Sequence, residues 1–235
     1  MTQAADAIRD ARSVAVLTGA GISVDSGLPT FRGDGGLWRG RDPMRLATPE
    51  AFAAEPGLVW EFYNERRRRA FAAEPNAGHR ALVELARRRP TTLITQNVDR
   101  LHRRAGSEGV IELHGNLEDV RCTGCGETSH RPGEALPDLP ECEGCGGRLR
   151  PAVVWFGEAL PAEAIERAAE AAARAELFLS VGTSSVVYPA AGLIDVASLA
   201  GATVIEVNPE PSGADVDIQL AGTSAEVLPM LVAGL

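Results

Sequence analysis

The chain has 235 residues, of which 45% are hydrophobic and 23% are charged, and its formal net charge is −9. This composition is typical of one sizeable globular domain, or of one domain with a small appendage. No apolar run approaches the roughly 18 residues of a membrane span, and the N-terminus lacks the layout of a secretory signal. We therefore expect a cytoplasmic protein with no membrane contact. The acidic balance disfavours direct nucleic-acid binding, which requires a basic surface.

Short apolar runs alternate with helical patterns along most of the chain. Such alternation predicts an α/β fold with a Rossmann-like, doubly wound parallel sheet. In chain order, the predicted elements are helix Thr2–Arg12, strand Ser13–Leu17, helix Ala77–Arg88, strand Thr92–Thr95, helix Asp99–Ala105 with Gly106 as its stop, strand Gly109–Leu113, helix Pro161–Arg174, strand Leu177–Val181, helix Pro189–Ala200, strand Ala202–Val207, strand Val216–Leu220 and helix Ala225–Val232.

Two segments interrupt the alternation. Residues 34–76 are aromatic, arginine-rich and predicted to be mostly helical, whereas residues 119–150 are glycine-rich and contain all the cysteines. We expect both to be insertions that form a small domain over the mouth of a cleft. The Rossmann-like domain then comprises residues 1–33, 77–118 and 151–235, within a single catalytic unit of residues 1–235.

Polar or glycine-bearing segments follow five of the predicted strands, namely TGAGIS, QNVD, HGN, GTSS and NPE. The carboxyl ends of parallel strands lie along one edge of a sheet, and ligands bind there. The sequence therefore predicts one cleft lined by residues from all five segments.

The loop after the first predicted strand, GAGISVDSGLPTFRG, begins like a dinucleotide-binding loop. Gly19 and Gly21 fill the first two positions of the Gly-x-Gly-x-x-Gly pattern, whereas Val24 fills the third. No second strand with a terminal acidic residue follows about 20 residues later, where a dehydrogenase binds the ribose. The loop disfavours a Rossmann-type oxidoreductase, although its backbone N–H groups suit a pyrophosphate.

The four cysteines form two Cys-x2-Cys pairs, Cys122 with Cys125 and Cys142 with Cys145. Two such pairs at this separation are typical of a four-thiolate zinc site, in which no coordination position remains for a catalytic water. We therefore expect one structural zinc ion. The alternatives are four reduced cysteines without metal, and a zinc ribbon that serves as a binding module.

Seven motifs occur in the order seen in one family: GAGISVDSGLPTFRG, TQNVDRLHRRAG, ELHGN, the paired Cys-x2-Cys, VVWFGE, GTSSVVYPAA and EVNPE. They resemble the sirtuins, which are NAD-dependent protein-lysine deacylases, and the resemblance extends from about Val14 to Pro229. It implies that NAD is a consumed co-substrate and that the zinc is structural. A dehydrogenase retains the nicotinamide, whereas a sirtuin removes it.

The resemblance implies NAD contacts at each strand exit. Gln96 and Asn97 are expected at the ribose, Asp99 at the nicotinamide amide, and Ser224 at the adenine through its backbone. Turn formation and helix capping are the plainer interpretations of these residue types. The remaining implied contacts are Gly19, Ala20, Gly21, Ile22, Thr30, Phe31, Arg32 and Trp38 near the nicotinamide and phosphates, and Gly182, Thr183, Ser184, Asn208, Pro209 and Glu210 at the adenosine half.

His114 is the candidate catalytic base, because it is the one histidine of four that follows a predicted strand directly. Histidine suits proton transfer near neutral pH, although a lone histidine is more often structural. The resemblance implies that the acyl oxygen attacks the ribose carbon as nicotinamide leaves. His114 then deprotonates a ribose hydroxyl, which leads to O-acyl-ADP-ribose and free lysine. A mono-ADP-ribosyltransferase is the alternative function.

Substrate contacts are implied in three places. Acyl-lysine proteins or peptides are expected to bind as an added strand between two segments, one with Val154, Phe156 and Gly157 and the other Ser184–Pro189. Tyr63 and Arg66 match the Tyr-x-x-Arg pair of sirtuins that accept succinyl and malonyl groups, and they share a face of a predicted helix. An arginine with a phenol beside it suits a carboxylate. The arginines that follow, Arg67, Arg68 and Arg69, are expected to form a solvated surface.

Overall fold

The computed structural model describes residues 1–30, 42–133 and 135–235. Its strands, in chain order, are β1 Val14–Thr18, β2 Thr91–Thr95, β3 Ile111–Glu112, β4 Gly115–Cys122, β5 Thr128–His130, β6 Leu149–Val153, β7 Leu177–Val181, β8 Thr203–Asn208 and β9 Ile218–Ala221. Its α-helices are α1 Thr2–Asp10, α2 Pro49–Ala54, α3 Pro56–Ala72, α4 Ala77–Arg88, α5 Leu101–Ala105, α6 Ala162–Arg174, α7 Gly192–Leu199 and α8 Ser224–Ala233. Within those ranges, no helix is both long and apolar enough to cross a membrane.

Six strands form a parallel sheet in the order β3-β2-β1-β7-β8-β9. The chain fills one half of the sheet outward from β1 and then returns to begin the other half at β7. The predicted doubly wound sheet is confirmed. Its topological switch point, where such sheets bind ligands, lies between β1 and β7.

Both faces of the sheet are covered by helices, which explains why its strands are apolar runs without alternation. One core cluster joins one face to α1, α4 and α8, with Ile8, Leu82 and Leu228 at most 2% exposed. A second cluster joins the other face to α6 and α7 around Phe178, which has no exposed surface. The carboxyl edge therefore remains for a ligand.

Several predicted element boundaries are wrong by two or three residues. Helix α1 ends at Asp10 and strand β9 begins at Ile218. The predicted strand Gly109–Leu113 is reduced to β3, because Gly109 has a left-handed φ of +61°. The helix predicted from Asp99 begins at Leu101, because Arg100 is also left-handed. The helix predicted from Pro189 begins at Gly192. Gly106 does end α5, with a φ of +103°.

The loops that follow β1 and β7 touch backbone to backbone at the switch point. Gly21 N–H donates to the Gly182 carbonyl at 2.8 Å, and Gly19 N–H donates to the Val181 carbonyl at 3.0 Å. A Cβ on Gly19 or Gly21 would lie 2.7 Å from Gly182, closer than Cβ atoms approach other atoms. Gly182 also has a φ of +59°, which favours glycine. The glycine pattern of the sequence thus reflects packing of the chain against itself.

A second, antiparallel sheet of order β5-β4-β6 carries the cysteine segment, and the sequence reading did not predict its strands. Helices α2 and α3 pack on it through a third apolar cluster that includes Phe52, Trp60 and Val120. Trp60 also donates its indole N–H to the Leu149 carbonyl at 2.9 Å. The helical segment and the cysteine segment therefore share one core.

The expectation that Arg67 belongs to a solvated surface is wrong. Arg67 is 1% exposed, and its guanidinium donates to the carbonyls of Leu117, Arg131 (2.5 Å) and Gly133 (2.9 Å). Burial lowers the pKa of this guanidinium. Because Arg67 lies on the side of α3 that faces β4 and the turn after β5, it joins these elements. Arg68 and Arg69 are exposed, as expected.

Replacing Arg67 with Met should destabilise the protein, because buried carbonyls would lose their donor. The expected loss in the free energy of unfolding is at least about 2 kcal/mol, measured by urea denaturation. Arg68→Met, one residue along the same helix and exposed, is the matched control and should change stability by no more than about 0.5 kcal/mol. Equal effects of the two substitutions would contradict the assigned role of Arg67.

Candidate functional site

Hydrogen bonds join the five predicted strand exits into one site, as the sequence predicted. The Asn97 side-chain amide donates to the Gly19 carbonyl at 3.0 Å, and the Gln96 amide donates to Thr183 Oγ1 at 3.0 Å. The Asn208 amide donates to the Thr183 carbonyl at 3.1 Å. His114 completes the set through Gln96, as described below. These contacts bring the exits of β1, β2, β3, β7 and β8 together.

The segment after β1 forms a 3-10 helix, Ala20–Ser26. Ala20 is partly exposed and lines a cavity, whereas the Ile22 side chain has no exposed surface and belongs to the core. The Ile22 N–H and carbonyl also bond within the protein, to the Gly19 carbonyl and the Asn76 amide, so this turn would have to move for Ile22 to contact a ligand. Thr30 is the last residue before the first undescribed range and is partly buried. Phe31, Arg32 and Trp38, predicted to contact NAD, lie outside the described residues.

Asp99 is held at the wall of the same cavity, which Ser23 and Asn97 also line. Its carboxylate accepts from the Ser23 hydroxyl at 2.8 Å and from the N–H of Leu101, the first residue of α5, at 2.9 Å. Burial raises the pKa of Asp99, and these two hydrogen bonds oppose that effect. One carboxylate thus both bonds to the start of a helix and lines a cavity.

One ring nitrogen of His114 is hydrogen-bonded to the protein backbone. Its Nδ1 lies 2.9 Å from the Gln96 carbonyl oxygen, which can only accept, so the proton of the neutral ring is on Nδ1. Nε2 is then a proton acceptor. Burial lowers the pKa of His114, and the Gln96 carbonyl raises it. Gly115 has a φ of +69°, and a Cβ there would lie 2.0 Å from the Ala152 carbonyl, so the turn after His114 requires glycine.

The residues predicted for the adenosine half lie at the exits of β7 and β8. Gly182 and Thr183 are buried, whereas Ser184, Pro209 and Glu210 are exposed around the cleft. Ser224 lies apart from them in sequence, as the first residue of α8, and is 2% exposed. Its side chain is thus enclosed.

The predicted acyl pair occupies the expected helix, but only one of its members lines the cavity. Arg66 lies in the cavity wall together with Asp99. Burial lowers the pKa of its guanidinium, and Tyr63 and Asp99 raise it. Tyr63 is 1% exposed, and its hydroxyl accepts from the Trp155 indole N–H at 2.8 Å. The two side chains are adjacent, with the Arg66 guanidinium carbon 5.2 Å from the Tyr63 ring centroid.

The segment from Val154 to Glu158 is held by internal contacts. Val154 N–H donates to the His114 carbonyl at 3.0 Å, and Phe156 N–H donates to the Ala47 carbonyl at 2.9 Å. Those two amides are therefore not available to an added strand. Phe156 and Gly157 are exposed, and Gly157 has a φ of +84°. A partly buried ion pair between Arg150 and Glu158, at 2.5 Å, fixes the base of this turn.

Two residues for which the sequence predicted no role, Ser23 and Trp155, contact predicted site residues. Ser23 orients Asp99, and it belongs to the GAGIS motif whose neighbouring residues were selected. Trp155 holds Tyr63, and it lies between two selected residues of VVWFGE. Both were within recognised motifs, but their partners are distant in sequence.

The four cysteine sulfurs lie within 4.8 Å of one another. A tetrahedral zinc with Zn–S bonds of about 2.3 Å requires sulfurs about 3.8 Å apart, and the Cys122–Cys145 and Cys125–Cys142 separations are 3.4 and 3.9 Å. The N–H groups of Cys125 and Gly124 donate to the Cys122 sulfur, which favours its thiolate. The cluster fits one structural zinc.

Metal analysis should find about one zinc per chain, and its removal should loosen the core shared with α3. Chelation or Cys142→Ala should lower the melting temperature and shift tryptophan fluorescence to the red, because Trp60 packs on β6. Glu143→Gln, next to Cys142 but without loss of a thiolate, is the control and should resemble the unmodified protein. Protein purified without chelator that contains no zinc and is fully stable would contradict this assignment.

Comparisons with known proteins agree with this geometry. The Sir2 family model matches residues 19–189. A protein of Aquifex aeolicus named NAD-dependent protein deacylase is 56% identical over 200 residues, 84% of each chain. The structure of a Sir2 homologue in complex with NAD has a TM-score of 0.92 at 44% identity and covers 99% of this chain and 93% of its own. A Sir2 structure with a deacetylated p53 peptide and 3′-O-acetyl-ADP-ribose has a TM-score of 0.92 at 33% identity, with coverages of 100% and 99%.

The family match spans most of the chain and includes the glycine contact at the switch point, His114 and the cysteine cluster. This chain belongs to the Sir2 family, the sirtuins.

Proposed function

We propose that this protein removes acyl groups from protein lysines with NAD as co-substrate, and that acidic acyl groups such as succinyl and malonyl are among its substrates. The arrangement of His114 carries this proposal. Its Nδ1 is committed to the Gln96 carbonyl, so Nε2 is an acceptor at the edge where the five strand exits meet. NAD supplies an electrophilic ribose carbon when nicotinamide leaves, and the products are nicotinamide, O-acyl-ADP-ribose and free lysine.

The glycine contact at the switch point is the proposed cradle for the NAD phosphates. The close packing of Gly19 and Gly21 on Gly182 fixes the turn after β1 at the switch point, where doubly wound sheets bind ligands, although the N–H groups of Gly19 and Gly21 themselves bond within the protein. Asn97 holds the Gly19 carbonyl, and Asp99 presents a carboxylate that can accept from the nicotinamide amide. Ala20, Ile22, Thr30, Gln96, Gly182, Thr183, Ser184, Asn208, Pro209, Glu210 and Ser224, together with Phe31, Arg32 and Trp38, complete the proposed NAD contacts.

Arg66 is the proposed partner of an acyl carboxylate. It lines the cavity, and arginine offers only donors in a planar fork that matches a carboxylate. Tyr63 is buried beside Arg66, with its ring centroid 5.2 Å from the Arg66 guanidinium carbon, and its oxygen accepts from the Trp155 indole N–H. Burial raises the pKa of Tyr63 and keeps the phenol protonated.

An acyl-lysine peptide is proposed to bind at the exposed turn around Phe156 and Gly157, with the lysine directed towards His114. Val154 N–H is bonded to the His114 carbonyl, which links this turn to the catalytic segment. Because the Val154 and Phe156 amides are occupied, pairing with an added strand would use other backbone groups of this turn and of the facing segment Ser184–Pro189.

His114→Ala should abolish most of the deacylation while NAD binding remains, because a general base typically contributes about 10²–10⁴-fold to the rate. Turnover is measured by peptide mass spectrometry and NAD binding by calorimetry. Near-normal turnover in the variant would mean that another group is the base.

The unmodified protein should also show a pH dependence with a defined direction. The base must be neutral, and burial lowers the pKa of His114, so kcat/KM should fall only as the pH drops through a value below the ordinary histidine pKa of about 6.5. An acidic limb with a midpoint above 6.5 would contradict the assigned environment.

Arg66→Met should lower kcat/KM for a succinyl-lysine peptide by roughly ten- to a hundredfold, because a charge-assisted hydrogen bond is worth about 1.5–3 kcal/mol. An acetyl-lysine peptide has no carboxylate and should change little. Arg68→Met, exposed on the same helix, is the control. Tyr63→Phe is a less direct test, because it also removes the acceptor of the Trp155 N–H. Equal losses on both peptides would leave general deacylation intact and remove the acidic-acyl assignment.

A further inference from the structure

Two histidines outside the proposed chemistry lie buried together beside the cleft. His79 has no exposed surface and His102 is 2% exposed, and their ring centroids are 4.9 Å apart. In each ring one nitrogen has a hydrogen-bond partner. The other nitrogen is buried and has no hydrogen-bond partner among the residues that the structure describes. The unpartnered atoms are His79 Nε2 and His102 Nδ1. An unpartnered polar atom in a protein interior is costly, so this coincidence requires an explanation.

The tautomer of His79 follows from the cap of α4. Asn76 N–H donates to His79 Nδ1 at 3.3 Å, as part of a capping box. Nδ1 therefore carries no proton. Burial lowers the pKa of His79 to about 4, so the ring is neutral at neutral pH. Its one proton must be on Nε2, which makes the unpartnered atom of His79 a donor.

The hydrogen bond between His102 and Thr18 does not determine which ring nitrogen of His102 carries the proton. Its Nε2 lies 2.8 Å from the Thr18 hydroxyl, which can donate or accept. Burial lowers the pKa of His102 to about 3, so this ring is also neutral. A proton on Nδ1 would place two buried N–H donors side by side without an acceptor. A proton on His102 Nε2 instead makes His102 Nδ1 an acceptor, which can receive the hydrogen bond from His79 Nε2–H.

We propose that His79 Nε2–H donates to His102 Nδ1, and that His102 is thereby a positioning residue for the NAD cleft. The ring centroids are 4.9 Å apart, close to the separation that a hydrogen bond between two ring nitrogens requires. The bond satisfies both unpartnered atoms and fixes His102 as a donor to Thr18.

The direction of the next hydrogen bonds follows from that assignment. Thr18 accepts from His102, so its own proton goes to Thr95 Oγ1, at 2.8 Å. Thr95 Oγ1 also accepts from Asn97 N–H at 3.0 Å, and the Asn97 amide holds the Gly19 carbonyl. Thr18 and Thr95 are the last residues of β1 and β2. This series of hydrogen bonds from His79 through His102, which we call the relay, therefore ends on Asn97 and Gly19. Both belong to the NAD cleft, a conclusion that rests on the proposed function.

The other end of the relay reaches the same loop. The Asn76 side-chain amide donates to the Ile22 carbonyl at 2.7 Å and to Ser26 Oγ at 3.0 Å, while its backbone N–H donates to His79. The turn that begins at Gly19 is thus held at both ends by groups connected through the two histidines. Loss of the His79–His102 bond should release this turn and weaken NAD binding more than it slows the chemical step.

Nuclear magnetic resonance of the ring nitrogens tests the tautomers directly and requires no turnover. The full-length protein has four histidines, so the ring signals can be assigned by substitution. We expect both buried rings to be neutral and protonated on Nε2, with a coupling across the His79–His102 hydrogen bond. A His102 ring protonated on Nδ1 would overturn the proposal.

Two substitutions of His102 separate the relay from simple packing. The Gln amide nitrogen reaches the position of Nε2 and preserves a donor to Thr18, whereas Asn reaches only the position of Nδ1. His102→Asn should raise KM for NAD and the Kd for ADP-ribose about five- to tenfold, the worth of one net hydrogen bond, with kcat retained. His102→Gln should show a smaller rise. His130→Gln, a half-exposed histidine outside the relay, is the control.

Equal effects of His102→Asn and His102→Gln, or no effect of either on ADP-ribose binding, would overturn the proposed relay. Because ADP-ribose binding and the ring-nitrogen spectra do not depend on deacylation, a failure of the relay is distinguishable from a failure of the proposed activity. A protein that binds ADP-ribose as expected but removes no acyl group would contradict the proposed function alone.

Discussion

The site depends on one steric constraint, the backbone contact between the loops that follow β1 and β7. Gly19, Gly21 and Gly182 approach so closely that a single added Cβ would collide with the opposite backbone. This contact closes the switch point of the sheet and keeps side chains of these three residues away from its edge, while their N–H groups bond to carbonyls within the protein. The polar residues from neighbouring strand exits are placed around this edge, where doubly wound sheets bind ligands.

A second set of contacts joins the acyl pair to the cysteine cluster. Helix α3 carries Arg66 towards the cleft and directs Trp60 and Arg67 into the antiparallel sheet, where they bond to backbone carbonyls. The same sheet is held at its far end by the four cysteines. A metal that takes no part in the chemistry thus stabilises the helix on which the proposed acyl specificity depends.

The sequence predicted the parallel sheet well because strands covered on both faces are continuous apolar runs, as at Leu177–Val181. It did not predict β4 to β6, whose polar and glycine-rich residues lack a clear alternation. Arg67 was misjudged because a run of arginines carries no sign of which member points inward. The His79–His102 pair depends on hydrogen positions and on residues distant in sequence, so no local motif could have identified it. The roles of individual NAD contacts remain predictions from resemblance.

The proposed NAD-dependent deacylation is tested most directly by the balance of products from one incubation. The protein, NAD and a succinyl-lysine peptide, or the matched acetyl-lysine peptide, are incubated and all products are quantified by mass spectrometry. We expect nicotinamide, deacylated peptide and O-acyl-ADP-ribose in equal amounts, and we expect none of these products when NAD is omitted. Nicotinamide release accompanied by ADP-ribose on protein, with the acyl group still on the lysine, would contradict it and indicate an ADP-ribosyltransferase.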